Sequence, residues 1–384
     1  MASRPKTSKL RIGLVVPHIF MHRDILPRVI FSPAVLALGL AAELEKLGAE
    51  VVLYTPGPVD TPVRNVTADL SGFEAELAAR DDDYLDLLKK HPLTFITLAR
   101  QVQAELVARA YADANAGRLD VVHVYTNEEE LGLVTAEFCR RPVVFTHHDP
   151  FNFLVRYRAL MPRYAGRNWI SISMAQRVGM PAETNWAANI YHGLDPAAYS
   201  PVAEPADDYV LYLGRIVEPK GVHLAIGAVR AYNSRQISDR LRLKIAGKHY
   251  SGGKDAYWQE RIVPELDDHE VEYVGFVDDL AAKRELLANA RALIIPSTFA
   301  EPFGLVQLEA LACGTPVVGL DNGAIGEVVQ DGVTGFVVPD ADGLPTALAR
   351  VGGLDRAACR ADFEVRFTAG RMAEEHLAAY RRLI

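Results

Sequence analysis

Short apolar runs alternate along the chain with longer segments whose apolar residues recur every three or four positions. The clearest example is the stretch 292–320. An apolar run at 292–296 precedes a loop, a helical pattern follows at 303–313 and ends at Gly314, and a second apolar run occupies 315–320. Short apolar runs are typical of buried strands, and the order strand, helix, strand is typical of a parallel sheet. The pattern therefore predicts an α/β fold.

The first half of the chain shows the same alternation. Strands are predicted at 10–16, 49–55, 120–125, 142–147 and 169–173. Helices are predicted at 33–47, 73–90, 93–115 and 127–138, and another is predicted to begin at residue 173. Residues 56–69 read as a proline-rich loop.

The second half repeats the pattern, so a second parallel sheet is expected. Further strands are predicted at 209–213, 241–246, 271–275 and 335–338. Further helices are predicted at 222–233, 278–290, 344–351, 356–363 and 368–384, with a helix opening at 322–327.

At 384 residues the chain is long for a single hydrophobic core, which favours two domains. Residues 200–208 combine prolines and acidic residues without apolar periodicity, as a linker does. The boundary is therefore placed between residues 198 and 199.

Composition narrows the function classes. The net charge of −8 gives no global attraction to nucleic acid, and no apolar segment approaches the length of a membrane span. The basic N-terminus leads into a first strand rather than a signal peptide. Three distant cysteines suggest reduced thiols, so a cytoplasmic protein is expected. The acidic run at 81–83 reads as a helix cap or a solvated surface, and neither a metal nor a bound cofactor is expected.

The candidate chemistry centres on two acids with seven residues between them. Glu309 lies on a helix that is apolar nearly all round, and Glu301 lies in the loop before that helix. The helix start at Phe303, Gly304 and Leu305 offers free backbone N–H groups and the positive end of the helix dipole. An anion site flanked by two hydroxyl-binding acids suits a nucleotide-sugar. The alternative for Glu309 is a core acid paired with a lysine or arginine.

Residues 301–318, EPFGLVQLEALACGTPVV, resemble the signature of retaining glycosyltransferases of the GT-B fold, family-4 type. The resemblance implies two Rossmann-like domains facing across a cleft. The N-terminal domain, 1–198, would bind the acceptor, and the C-terminal domain, 199–367, would bind the donor. The last helix, 368–384, would cross back to the first domain.

Donor-site residues follow from the strand ends and from the resemblance. Gly214 and Arg215 end one strand and Lys220 begins the next helix, which sets two cations where a diphosphate could lie. The alternative is pairing of Arg215 and Lys220 with surface acids such as Glu218. By resemblance these cations bind pyrophosphate, Glu309 binds ribose, and Glu301 binds the sugar beside the 303–305 backbone. Other positions implied to line the nucleotide pocket are Gly247, Phe276 and Val277.

Acceptor-side residues are expected at the ends of two strands in the first domain. The sequence 146–149, THHD, resembles the T-x-H-D pattern that supplies an active-site histidine, so His148 and Asp149 are candidates and His147 is the competitor. The loop after the first strand carries His18 and Arg23 and lacks G-x-G-x-x-G, which argues against a dehydrogenase. That loop forms either an acceptor wall or a solvated surface.

Together these observations predict a retaining hexosyltransferase with a nucleoside-diphosphate sugar as substrate, a UDP-sugar favoured and a GDP-sugar possible. The catalytic residues would be His148, Glu301, Arg215 and Lys220. The acceptor would be a hydroxyl of a small molecule, lipid or glycan. Front-face displacement, with the leaving phosphate taking the acceptor proton, is the favoured mechanism. The alternatives are a nucleotide-sugar epimerase of similar fold and a catalytically idle nucleotide-sugar binding protein.

Peripheral membrane contact is the less favoured reading of a basic and aromatic segment, and a solvated helix face is the more favoured one. The segment comprises Arg156, Arg158, Arg163 and Arg167 with Phe151, Phe153 and Tyr157. His192 and Asp195 are interpreted as hinge or turn residues. The sequence leaves the oligomeric state open.

Overall fold

A computed structural model describes residues 9–126, 130–202, 204–206, 208–236, 238–249, 255–267 and 269–384. The chain divides into two compact units. The first unit comprises residues 1–172, 177–191 and 369–384, and the second comprises 173–176 and 192–368. Each unit contains one parallel sheet, as the sequence predicts.

The sheet of the first unit has seven strands in the order β3-β2-β1-β4-β5-β6-β7. Its central strands are apolar and buried, which is expected where helices cover both faces of a parallel sheet. The strands are β1 Arg11–Val15, β2 Glu50–Thr55, β3 Arg64–Thr67, β4 Val121–Tyr125, β5 Val143–Thr146, β6 Asn168–Ser171 and β7 Trp186–Asn189. The helices before the second unit are α1 Ser32–Lys46, α2 Ser71–Arg80, α3 Tyr84–Lys90, α4 Pro92–Asn115, α5 Leu131–Thr135 and α6 Val155–Leu160.

The sheet of the second unit has six strands in the order β10-β9-β8-β11-β12-β13. The strands are β8 Tyr209–Leu213, β9 Arg242–Ala246, β10 Val271–Gly275, β11 Ala292–Ile295, β12 Val317–Leu320 and β13 Gly335–Val338. The helices are α7 Val222–Asn233, α8 Leu280–Asn289, α9 Leu305–Ala312, α10 Ile325–Val328, α11 Leu344–Val351 and α12 Arg356–Arg366. Among the described residues, no helix combines the length and apolar character that crossing a membrane would require.

The sequence pattern missed or misjudged several elements of the first unit. Edge strand β3 lies within the segment 56–69 that is predicted to be a loop. The pattern missed this strand because its residues are mostly polar and at most partly buried. The predicted helix 73–90 is two helices, since Asp81 adopts a left-handed conformation (φ 55°) and Asp83 caps α3 by accepting from the Asp86 N–H at 2.8 Å.

Two further predicted helices are shorter in the structure. The prediction of an α-helix from residue 173 is wrong, since that segment forms only the 3-10 turn Ala175–Arg177. There Glu327 accepts hydrogen bonds from the N–H groups of Met174 and Ala175 at 2.8 and 2.6 Å. The helix predicted at 127–138 begins at residues 127–129, which lie outside the described residues. Its described part contains only α5 and a 3-10 turn.

The division into units differs from the predicted domains at the connecting segments. Residues 173–176, 192–198 and Thr368 group with the second unit. Residues 192–198 group with the second unit because Leu194 pairs with residues of that unit. Leu194 forms a β-bridge with Thr368, and its N–H donates to the Phe367 carbonyl at 2.9 Å.

Helix α13, Ala369–Leu383, groups with the first unit and packs on α1. A buried polar network also fastens it to the sheet. His123 of β4 hydrogen-bonds with the Tyr380 hydroxyl at 2.7 Å and with the Thr146 hydroxyl at 2.8 Å. His376 stacks on His123 with ring centroids 5.6 Å apart. Two histidines are therefore buried together under the last helix.

We expect acid to loosen this attachment. Burial lowers the pKa of His376 from 6.5 to about 4 and holds the pKa of His123 well below its usual value. The unfolded chain therefore binds more protons below pH 6.5, and stability present above that pH is lost as the pH falls toward 4. For His376 the loss approaches about 3 kcal/mol.

The measurement is the free energy of unfolding in urea at pH 7.5 and 5.0. We expect His376→Leu to lose less stability on acidification than the unsubstituted protein. His91→Leu, at an exposed histidine of the same unit, serves as the control. Equal acid sensitivity in all three proteins would contradict the assignment.

Candidate functional site

The predicted donor residues lie at a topological switch point of the second sheet. Strand β8 has β9 on one side and β11 on the other, so the connections after β8 and after β11 leave in opposite directions. Ligands of open α/β sheets bind outside the carboxyl ends of the strands at such a point. Residues 214–220 follow β8 and residues 296–304 follow β11. The fold thus brings together Gly214, Arg215 and Lys220 with the segment from Glu301 to Leu305.

Lys220 and Glu301 form an ion pair at this point. The Lys220 ammonium donates to Oε1 of Glu301, and it lies 5.0 Å from the centre of the Phe299 ring. Glu301 is 8% exposed, so its charge requires such a partner. The alternative interpretation, in which Lys220 pairs with Glu218, is wrong, because the carboxylate that Lys220 reaches is that of Glu301.

Arg215 differs from Lys220. Its side chain is exposed, and no described residue forms an ion pair with its guanidinium. Its backbone is fixed, since the Tyr212 hydroxyl donates to the Arg215 carbonyl at 2.7 Å. A guanidinium presented this way retains its donors for a planar or tetrahedral anion.

Glu309 is also buried and paired. It lies on α9, is 8% exposed, and accepts hydrogen bonds from the Lys283 ammonium at 2.6 Å and the Tyr199 hydroxyl at 2.8 Å. Burial and the nearby carboxylate raise the pKa of Tyr199 well above its usual value, so this hydroxyl remains a donor. The pairing with Lys283 is the contact that the alternative interpretation of Glu309, a core acid paired with a lysine or arginine, describes. Sequence reasoning did not identify Lys283 or Tyr199. The only signal was that a buried acid requires a cation.

The backbone of Gly323 lies in close contact with the backbone of Glu301. A Cβ atom on Gly323 would lie 2.2 Å from the Glu301 carbonyl oxygen and 2.4 Å from its nitrogen. The Ala324 N–H donates to the same carbonyl at 2.8 Å. Gly304, with φ 85°, then turns the chain into α9, and the Gln307 side-chain amide donates to the Phe303 carbonyl.

The remaining predicted nucleotide-pocket residues lie at the ends of β9 and β10. The Gly247 N–H donates to the Gly275 carbonyl at 2.9 Å, and the Gly214 N–H donates to the Ala246 carbonyl at 3.0 Å. A Cβ atom on Gly247 would lie 1.8 Å from the Gly214 carbonyl oxygen, so the two loops touch through bare backbone. Phe276 is 39% exposed, and Val277 beside it is half-buried.

In the first unit the two neighbouring histidines occupy different environments. His147 is fully buried, its Nδ1 lies 3.1 Å from the Thr126 hydroxyl, and burial lowers its pKa. His148 is half-buried, and its ring packs 4.5 Å from that of Tyr125. The Tyr157 hydroxyl donates to Asp149 at 3.4 Å. His148 is thus the more accessible of the two candidates.

The loop after β1 contains two of the predicted acceptor-side residues, one held by neighbouring groups and one exposed. His18 accepts a hydrogen bond from the Phe20 N–H at 3.2 Å and stacks on Phe31 at 4.8 Å. Arg23 has a side chain that is 70% exposed and lies 3.7 Å from Asp24.

Two other interpretations are affected by the structure. In the basic and aromatic segment, Phe151 and Tyr157 are core residues, and Phe153 is exposed. Two of the three aromatic residues of the segment therefore belong to the core, and peripheral membrane contact stays the less favoured prediction. Asp195 caps a turn by accepting from the Ala197 N–H at 2.9 Å, and His192 packs against Phe303 at 4.8 Å.

Among the described residues, no three or more His, Cys, Asp or Glu side chains form a group able to hold a metal ion.

Comparison with known proteins identifies the class. Residues 34–182 match the family model described as Glycosyltransferase Family 4, and residues 207–351 match the model described as Glycosyl transferases group 1. The chain belongs to the glycosyltransferases.

Individual proteins give the same family and fold. A phosphatidyl-myo-inositol mannosyltransferase of Mycolicibacterium smegmatis is 31% identical over 65% of this chain and 66% of its own length. The match covers 66% of the length of this mannosyltransferase and 48% of the length of a glycogen synthase of Mycobacterium tuberculosis, which is 34% identical over 50% of this chain. Sucrose-phosphate synthase of Thermosynechococcus elongatus has a TM-score of 0.71 and 20% identity over 98% of this chain and 99% of its own. An Anabaena protein, HepE, in complex with UDP-glucose has a TM-score of 0.65 and 19% identity over 97% of this chain and all of its own. These matches confirm the predicted GT-B fold.

We expect the close approach at Gly323 to be essential for the shape of the Glu301 loop. Gly323→Ala would place a methyl group against the Glu301 backbone, and the left-handed conformation (φ 71°) adds strain. Gly332 is the matched control, because it has the same conformation (φ 74°) and open space around it. Gly332→Ala should lower the free energy of unfolding by about 1 to 2 kcal/mol from strain alone. Gly323→Ala should lower it by about 1 to 3 kcal/mol more, because the methyl group also overpacks the loop. Urea unfolding measures both, and equal losses would contradict the role of the close approach.

Proposed function

We propose that this protein transfers a sugar from a nucleoside-diphosphate sugar to an acceptor hydroxyl, with a UDP-sugar favoured and a GDP-sugar the alternative. The observation that carries the proposal is the convergence of two cations, two buried carboxylates and the start of α9 at one switch point of the second sheet. This combination suits the diphosphate, the ribose and the sugar of one ligand.

The donor's diphosphate would lie between the loop after β8 and the start of α9. Arg215, Lys220 and the free N–H groups at Gly304 and Leu305 would stabilise the negative charge that grows on the leaving group. Lys220 has three donor hydrogens, so it can retain Glu301 while contacting a phosphate oxygen.

The two carboxylates would bind the sugars of the donor. Glu301, next to the diphosphate loop, would accept from a hydroxyl of the transferred sugar, alongside the backbone of Phe303. Glu309 would accept from the ribose hydroxyls. The backbone at Phe276 and Val277 would contact the base, with Gly214 and Gly247 lining the nucleotide pocket.

We assign the acceptor to the first unit, where His148, Asp149, His18 and Arg23 lie at the ends of β5 and β1. In the transfer step the bond between the sugar C1 and the diphosphate breaks, and its electron pair leaves with the diphosphate. The acceptor oxygen bonds to C1, and its proton passes to the leaving phosphate. The engagement of Glu301 by Lys220 favours this front-face route over attack by a carboxylate, and the route retains the anomeric configuration.

Similar proteins supply the first probes. HepE is described in complex with UDP-glucose, which makes UDP-glucose the first donor to test. The similarity to a mannosyltransferase makes GDP-mannose the second.

We expect one nucleotide-sugar to raise the melting temperature clearly, with the shift unchanged by EDTA. A ligand at 100 times its dissociation constant adds about 2.7 kcal/mol to the free energy of unfolding, which a thermal melt resolves. Product analysis without acceptor separates transfer from epimerisation, since only an epimerase would release a changed sugar. Absence of a shift with every nucleotide-sugar would overturn the proposal, whereas a shift without turnover would favour the idle-protein alternative.

We expect Lys220→Ala and Glu301→Ala to reduce kcat/KM by about 100-fold or more, because each removes a group that contacts the transferring sugar or its leaving group. Lys46→Ala removes an exposed lysine paired with Glu43 on α1 and should leave turnover unchanged. Full turnover by either of the first two variants would contradict the site assignment.

A further inference from the structure

Glu309 is held asymmetrically. The Lys283 ammonium and the Tyr199 hydroxyl both donate to Oε1, at 2.6 and 2.8 Å. Among the described residues, the hydrogen bonds and ion pairs to this side chain all end on Oε1. Each carboxylate oxygen can accept two hydrogen bonds. Oε2 therefore retains its acceptor capacity.

The two donors come from different segments that are themselves fixed. Lys283 lies on α8, whose Arg284 donates to the Ala198 carbonyl at 3.0 Å. Tyr199 is 5% exposed, and Arg360 of α12 donates to its carbonyl at 2.8 Å. The same Arg360 nitrogen donates to the Ala312 carbonyl at the end of α9, at 2.6 Å. Arginine side chains thus join the segment carrying Tyr199 to α8, α9 and α12.

This arrangement has an electrostatic reason. A carboxylate that is 8% exposed has lost most of its hydration, and the Lys283 ammonium offsets that loss. Lys283 retains a side-chain exposure of 24%, so the pair lies at the edge of the core rather than deep within it. A carboxylate with one anchored and one available oxygen is suited to a vicinal diol.

We propose that Lys283 and Tyr199 are positioning residues for ribose recognition, and that through Glu309 they select ribonucleoside over 2′-deoxyribonucleoside diphosphates. The inference rests on the proposed donor site. Lys283 and Tyr199 anchor Oε1, and Oε2 accepts from the 2′- and 3′-hydroxyls together. A 2′-deoxyribose offers one hydroxyl fewer to the same oxygen.

The test compares UDP with 2′-deoxy-UDP, and GDP with 2′-deoxy-GDP, by isothermal titration calorimetry on the full chain. The unsubstituted protein should bind the ribonucleotide of the preferred base about 10-fold or more tightly than the deoxyribonucleotide, because a hydrogen bond to a carboxylate is lost in the deoxy form.

Lys283→Met should weaken ribonucleotide binding about 10-fold and change deoxyribonucleotide binding little, so that the ratio of the two dissociation constants lies near one. Tyr199→Phe should reduce the ratio by about 3-fold, since a neutral donor is lost. Lys46→Met is the matched control and should leave the ratio unchanged.

The double variant Lys283→Met/Glu309→Gln keeps the test valid if the single variant folds poorly, because it removes the uncompensated charge along with the lysine. Its ratio should equal that of Glu309→Gln alone and lie near one.

Equal weakening of both nucleotides by Lys283→Met would overturn the inference, because it would place the lysine on the phosphates. A ribose preference that survives in Lys283→Met, or in the double variant, would also overturn it while leaving the donor site intact. Failure of the unsubstituted protein to bind either UDP or GDP would instead overturn the proposed function, and this inference with it.

Discussion

The second unit is organised around the burial of two carboxylates at the carboxyl edge of a parallel sheet. Glu301 and Glu309 are each 8% exposed, and a carboxylate in that state is stable only with partners. Each acid has its own lysine, Lys220 for the first and Lys283 for the second. The helix between and beyond them is apolar, so the acids cannot turn away from these partners toward water.

Glycine backbone makes that packing possible. The Glu301 loop contacts the backbone at Gly323, and a side chain at Gly247 would clash with the Gly214 carbonyl. These contacts bring the Glu301 main chain against Gly323 and the loop after β8 against the loop after β9.

The two sheets have the same kind of topological switch point, but different side chains lie near it. In each, the first strand in chain order has its successor on one side and a later strand on the other. In the second unit this point gathers cations and acids. In the first unit the strand ends carry histidines, of which His147 has become part of the core and His148 is half-buried. The buried pair of His123 on β4 and His376 on α13 connects the last helix to the same sheet.

Elements with a strong and local periodicity could be predicted from the order of residues alone. Strands β8 and β10 and helix α7 have the predicted bounds, and the family signature is contiguous in the chain. Sequence could not locate edge strand β3, which is polar, or the helix break at Asp81, where three acids gave no periodic signal. Which of the two adjacent histidines belongs to the core could be seen only in the folded chain. The fold also selects which groups partner Glu309, since Tyr199 lies 110 residues away along the chain and Lys283 lies 26. The physical reason is that burial patterns repeat within one element, whereas the partner of a buried charge is chosen by the packing of segments that no local pattern relates.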